Sequence, residues 1–426
     1  MKKNRVVASA IIGVSMIAPL IATSAQASAA AAPTINLTFD WWGNTTRDQL
    51  TEKAIAGFEK LHPNIKITPE FDGSFSDYFQ KLTTMVAGGN APDIMQMDYD
   101  YINAFAQRGA LANMATMGIN TKNISKGVLD SGILNGKMWG IPNSLNAYAL
   151  IYNPALLKKA GIHATMSTHW TWAQFTNVLK TIHSKLGIYG MDDPEDAEHF
   201  DYWARQYGQS MYNKTQNAVG YTLPTLTSFF NYFTQLRNSH VIPNGEVMLA
   251  NPMHASNDLF NTGKSAMVWY WVNGLESYRS MTTEPLALML PPYQPGKKDG
   301  MYIKPSQYWS ISSQTKYPKQ AAEFVNYLLN NLQANEDMGT DRGIPVSSVI
   351  QKEMEPHLTG VERQEVKYMQ LAMKVATIPM DPAPPEANDQ VLNDWTNVIS
   401  AVTYNKQTPL AAAKQLIQET NQLAGQ

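Results

Sequence analysis

The residues best suited to chemistry in this chain fall in short clusters of aromatic, amide and carboxylate side chains. Trp41 and Trp42 are followed by Gly43 and Asn44, Asp72 by Gly73, and Asp98 and Tyr99 by Asp100. Tyr270, Trp271 and Asn273 follow an apolar run, Asn146 and Tyr148 flank an alanine, Tyr308 and Trp309 are adjacent, and Arg342 opens an Arg-Gly-Ile-Pro turn. These groups suit noncovalent recognition of a ring with a flat C–H face and a hydroxyl rim. An indole brings about 150–250 Å² of rigid area to the face, while Asp, Asn and Arg answer the rim with strong hydrogen bonds. Such a site rejects molecules that leave its buried polar groups unpaired.

Each residue has a plainer rival role. Tryptophans pack in cores, and neighbours in a strand face opposite ways, so at least one of Trp41 and Trp42 is expected at the site. Trp42 is preferred because Gly43 and Asn44 follow it. Asp72, Asp98 and Tyr99 have solvated loops or helix caps as alternatives, and Arg342 has a surface salt bridge. Tyr270 and Trp271 have core packing instead.

Covalent and metal chemistry find little support. The chain has no cysteine, and the G-x-S-x-G, H-E-x-x-H and P-loop patterns are absent. A glycoside hydrolase needs two carboxyl groups about 5–9 Å apart. Asp98 and Asp100 are the nearest pair, but strand alternation would turn them to opposite faces. The acidic run from Asp192 to Asp196 lacks calcium-loop spacing and reads as a solvated loop. His163 and His169 have no metal-ligand pattern around them. No metal and no cofactor are expected.

The elements that must position these clusters alternate. Ile35 to Phe39 has strand periodicity, Asp48 to Leu61 carries apolar residues at helical spacing, and Ile65 to Thr68 alternates again. A second helix over Tyr78 to Ala87 ends at Gly88-Gly89, before a third strand over Pro92 to Met97. This predicts an α/β fold with a largely parallel sheet, in which ligands lie beyond the carboxyl ends of the strands. The clusters at 41–44, 72–74 and 98–100 fall there. A later strand should end near Trp269, leaving Tyr270, Trp271 and Asn273 at the site.

The 426 residues, 44% hydrophobic, suffice for more than one lobe. A net charge of −2, with no basic run after the first five residues, excludes a polyanion-binding surface; nucleic acid is not an expected partner. Residues 1–27 read as a secretory signal peptide: a cationic start, an interrupted apolar stretch and Ala25-Gln26-Ala27. The mature chain is therefore expected to be exported and monomeric, in a periplasm or extracellular envelope space. Without cysteine it has no lipid anchor of that kind.

Six ordered segments resemble the family 1 extracellular solute-binding proteins, the sugar-capturing subunits of ATP-driven (ABC) importers. They are AIAGFEKLHPNIKI, KLTTMVAGGNAPDIMQMD, LNGKMWGIPNSLNAYALIYNPALLKKAG, LFNTGKSAMVWYWVNG, SISSQTKYPKQAAEFVNYLLN and RGIPVSS. The most specific lies within Pro142 to Lys159, where Ala149-Leu150-Ile151-Tyr152-Asn153 and Leu157-x-Lys159 fit the family's spacing and Asn143 departs from it. The resemblance implies two α/β lobes of periplasmic-binding-protein type, joined by a hinge that the chain crosses three times. It puts the lobes at 28–144 with 288–331 and at 145–287 with 332–426. It implies a sugar or oligosaccharide ligand and a membrane permease as partner, with Tyr308 and Trp309 where the family contacts ligand. The alternatives are an exported glycoside hydrolase and a relative binding a charged solute such as a glycerophosphate or polyamine.

Overall fold

A computed structural model describes Met1 and residues 33–194, 196–253, 255, 257–378, 380–381 and 383–425. Apart from Met1, the expected signal peptide lies outside the described residues. Strand β1 (Ile35–Trp42) buries Leu37, Phe39 and Trp41 on one side. Helix α1 (Thr45–Leu61) starts earlier than its periodicity suggests because the Asn44 side chain accepts a hydrogen bond from the Arg47 amide. Strand β2 (Ile65–Asp72) completes the β-α-β opening, pairing in parallel with β1 from Ile35↔Ile65 to Trp42↔Asp72. Ser74 caps helix α2 (Phe75–Ala87), moving its start back to Phe75. Strand β3 (Ile94–Met97) and helix α3 (Tyr99–Gln107) follow.

The first sheet continues with strands from distant sequence. β4 (Ile141–Pro142) lies on its edge. Next along the chain come β5 (Ser144–Asn146) and β6 (Tyr148–Tyr152), helix α4 (Ala197–Gln206), β7 (Met267–Trp271), helix α5 (Gly274–Met281) and β8 (Ala287–Met289). The short strand β9 (Lys304–Pro305) precedes β10 (Tyr308–Ile311), which pairs antiparallel with both β3 and β4. The second sheet, in order β8-β6-β7, is antiparallel throughout. The expected largely parallel sheet is therefore realised only in β2-β1-β3. Parallel neighbours need a long crossover, usually a helix, whereas β10 enters the first sheet from β9 across two residues. β7 also runs two residues past its expected end at Trp269, held by Tyr148↔Trp271 pairing.

A third sheet links these two. β5 is its centre, flanked antiparallel by β9 and by β11 (Ile344–Pro345). In chain order β5 leads from the first sheet to the second and β9 leads back. Helix α6 (Pro318–Asn330) and helix α7 (Leu332–Met338) pack on α1, with Ala334 and Met338 in the core of the first sheet. The expected boundaries at 287/288 and 331/332 thus cut through packed structure: Leu288 is paired with Ile151 in the second sheet, and α7 belongs with the first. Helix α8 (Gly360–Val375) and helix α9 (Asn388–Thr403) pack into the second core around Tyr148, Trp269 and Trp395. No helix among the described residues is long and apolar enough to cross a membrane.

Candidate functional site

A cavity of about 680 Å³ lies between the carboxyl end of β1, the start of α3, the end of β7 and helix α9. On one side Trp42 and Phe75 line it, their rings 5.1 Å apart and nearly perpendicular. Trp42 leans back on Tyr78 and Phe79, at 5.3 and 5.5 Å. This support holds the indole rigid while leaving it half-buried. On the other side are Tyr270 and Trp271, with Trp395 behind them. Tyr148 stacks on Trp271 at 3.9 Å and 17°, and Lys304 Nζ lies 4.4 Å from the Trp271 ring centre. Trp271 therefore reaches the cavity already engaged by a ring and an ammonium.

Polar groups join these walls. Asn146 Nδ2 donates to Asn273 Oδ1 at 2.6 Å, and Asn273 Nδ2 donates to the Asp341 carbonyl at 2.8 Å. Arg47 binds Asp341 twice, through Nε to the carboxylate at 2.5 Å and Nη2 to the carbonyl at 3.1 Å. Asn44 reaches across to Ser277 of α5 at 3.3 Å while capping α1. Asp98 caps α3 by accepting from the Asp100 amide at 2.9 Å, which is the plain alternative role, yet it also lines the cavity.

Glu198, from the first turn of α4, is the electrostatic centre. It accepts hydrogen bonds from Lys304 Nζ at 3.0 Å, Trp271 Nε1 at 3.3 Å and Tyr148 Oη at 3.4 Å. Burial pushes the Asp100 carboxyl up to about 8, with Asp98 adding to the rise. Asp98 is also raised by burial, against the pull of Lys304. Burial alone would lower the Lys304 pKa, but Glu198, Asp98 and Asp100 hold it above its ordinary value. Asp98 and Asp100 do not alternate as strand residues would, because Tyr99 begins a helix; both face the cavity.

Of the residues expected at the site, Trp42, Asn44, Asp98, Asn146, Tyr270, Trp271 and Asn273 line this cavity. Tyr99 lines a smaller chamber beside it and donates to the Asp381 carbonyl. The remainder sit elsewhere. Trp41 is fully buried against Phe39 and Phe71, because alternation along β1 sends it to the core side. Asp72 ends β2 and accepts from Lys81 at 3.1 Å. Tyr148 lies beneath Trp271 rather than in the cavity. Tyr308 and Trp309 are buried inside the first sheet, since β10 is an internal strand there. Arg342 is also buried. It donates to Gln96 and Thr51 at 2.8 Å each and tethers the linking sheet to the first lobe.

The acidic run is not a solvated loop among its described members. Asp192 is buried, Asp193 pairs with Arg237 at 2.7 Å, and Asp196 caps α4. Sequence reading missed Arg47, Phe75, Glu198, Lys304 and Asp341. Of these, only Phe75, just after Asp72-Gly73-Ser74, carried a local signal. The others are ordinary charged residues brought in from remote segments.

Comparison with known proteins adds an independent line. The family model for bacterial extracellular solute-binding proteins matches residues 42–334. An extracellular solute-binding protein family 1 structure from Alicyclobacillus acidocaldarius is 45% identical, covering 93% of this chain and 100% of its own, with a TM-score of 0.69. A periplasmic oligogalacturonide binding protein from Yersinia enterocolitica, in complex with saturated digalacturonic acid, is 26% identical, covering 92% and 100%, with a TM-score of 0.81. The diacetylchitobiose binding protein DasA from Streptomyces coelicolor is 30% identical over 107 residues, 25% of this chain and 24% of that protein. Matches to three curated relatives each span less than a third of the relative's own length.

Proposed function

The chain belongs to the bacterial extracellular solute-binding protein family, and from that premise we propose that it captures an oligosaccharide outside the cytoplasm and hands it to an ATP-driven importer. The observation that carries this reading is the cavity's composition: Trp42 and Phe75 face Tyr270 and Trp271, with Asn146, Asn273, Asp98 and Asp100 between them. Aromatic faces and a hydroxyl-answering rim on opposite walls suit a saccharide long enough to touch both. The Yersinia relative binds a digalacturonic acid and the Streptomyces relative is a diacetylchitobiose binding protein, which supports the saccharide class.

In this reading the hinge is the β9-β5-β11 sheet. The lobes close when ligand supplies contacts that exist only in the closed state, so binding shifts a population rather than creating a shape. The Asn44–Ser277 bond crosses between elements of the two lobes and favours closure before ligand arrives. The closed form is what a permease would recognise.

One rival has a specific observation behind it. Asp98, Asp100 and Glu198 line an aromatic cavity, and a carboxyl with a raised pKa is the mark of a general acid. Against catalysis, Glu198 is committed to Lys304, and the family binds solutes without chemistry. A polyamine ligand would also meet the carboxylates. Thermal unfolding of residues 28–426 with panels of mono- and oligosaccharides, polyamines and glycerophosphates decides between them. The expected result is a concentration-dependent rise for one saccharide class, recovered unchanged. A response to polyamine alone, or recovery of cleaved sugar, would refute the reading.

A further inference from the structure

The main cavity has a side chamber of about 200 Å³, and the two share Asp100, Glu198 and Lys304 at their junction. Its walls come from Tyr99, from Asp201 and Arg205 of α4, from Tyr212, from Tyr302 and from the segment around Asp381. Tyr302 is 6% exposed and lies under the Arg205 guanidinium at 4.2 Å. Its hydroxyl makes no hydrogen bond with another described residue and is not sealed in the wall, so it is open to a partner that enters the chamber. The Asp100 carboxyl at the mouth likewise makes no hydrogen bond with another described residue, and Asp201 Oδ1 is buried in the wall without one among them.

The cations are differently placed. Arg205 is held by Asp201 at 2.8 Å and Asp381 at 2.5 Å, and Lys304 by Glu198 at 3.0 Å. Lys214, on the outer rim, is exposed to solvent. A hydroxyl, which can both donate and accept, would satisfy Tyr302 and Asp100 together.

Resting on the oligosaccharide reading, we propose that this chamber is an end-subsite. It receives one terminal hydroxyl-bearing unit of the saccharide after the chain has passed Asp100. The chamber has less than a third of the main cavity's volume, so it takes one unit where the main cavity takes the remainder.

The test is a calorimetric affinity series on residues 28–426. The probes are malto-, cello-, N-acetylated chito- and galacturonate ladders from one to five units. Met211, another chamber-lining residue, is replaced by Met211→Trp to fill the space, and Tyr302→Phe removes only the unpartnered hydroxyl. The ladder that binds should show an affinity gain of tenfold or more when the unit that enters the chamber is added. Met211→Trp should abolish that gain while changing affinity for the shorter members less than threefold, and Tyr302→Phe should reduce it. The absence of any length step in the ladder that binds, or a length step that survives both substitutions, overturns the subsite and leaves saccharide capture standing. No binding by any ladder overturns the capture reading itself, and the subsite with it.

Discussion

Replacing Trp41 and Trp42 one at a time separates core from site within two adjacent residues. Trp41 is fully buried, packs on Phe39 at 4.9 Å and Phe71 at 5.5 Å, and donates its indole N–H to Asp48 at 3.0 Å. Trp41→Ala leaves a large void and an unpaired acceptor, and should cost about 3–5 kcal/mol of stability. Trp42 packs on Phe75, Tyr78 and Phe79 but turns its remaining surface to the cavity. Trp42→Ala should weaken saccharide binding by about 1–3 kcal/mol, the range for a truncated aromatic anchor. At about 1.4 kcal/mol per tenfold, that is roughly 5- to 150-fold in Kd. The assay pairs urea unfolding of the free protein with calorimetric titration of the saccharide that raises the melting temperature most. Trp41→Ala should move the first measurement and spare the second at temperatures where the protein stays folded. A Trp42→Ala protein with lower stability and unchanged affinity would refute the assignment of faces along β1.

Other outcomes follow from single contacts. Arg47→Ala strands the buried Asp341 carboxylate and should destabilise the protein by about 3–5 kcal/mol in urea; a loss below about 1 kcal/mol would show the pair to be dispensable. Gly343 has φ +107°, and an added Cβ would sit 2.5 Å from the Leu145 carbonyl across the β5–β11 contact. Gly343→Ala should therefore lower the melting temperature measurably, and an unchanged value would mean the linking sheet yields freely. Asp192 is raised by burial, with Asp258 adding, from 3.8 to about 8. The native state thus keeps a proton that the unfolded chain releases, so this contribution is full below about pH 4 and is lost as pH rises to about 8. Unfolding free energy should fall across that window by at most about 1.4 kcal/mol per pH unit for this group, and Asp192→Asn should flatten the slope; an unchanged slope would place the titration elsewhere.

The opening β-α-β unit was legible because its periodicities are local. Leu50, Ala54, Ile55, Phe58 and Leu61 mark a helix face whichever way the rest of the chain folds, and Asn44 and Ser74 displaced only the helix starts. Trp42, Tyr270 and Trp271, at the ends of their strands, were legible for the same reason. Strand direction was not legible in β10 or in the second sheet. Pairing is a relation between segments far apart, and Tyr308-Trp309 reads the same in an internal strand as at a cleft.

Sequence by itself determined the kind of surface this protein carries: rigid rings, amides and carboxylates, little net charge and no cysteine. Tertiary structure alone decided which of those groups meet. It turned Trp41 inward and Trp42 outward and buried Arg342 against Gln96 and Thr51. It also brought Glu198 and Lys304, 106 positions apart in the chain, to 3.0 Å of one another beside Trp271. The physical reason is that a residue's chemistry is fixed locally, whereas its partners, its burial and hence its charge state are set by contacts that form only when distant segments pack together.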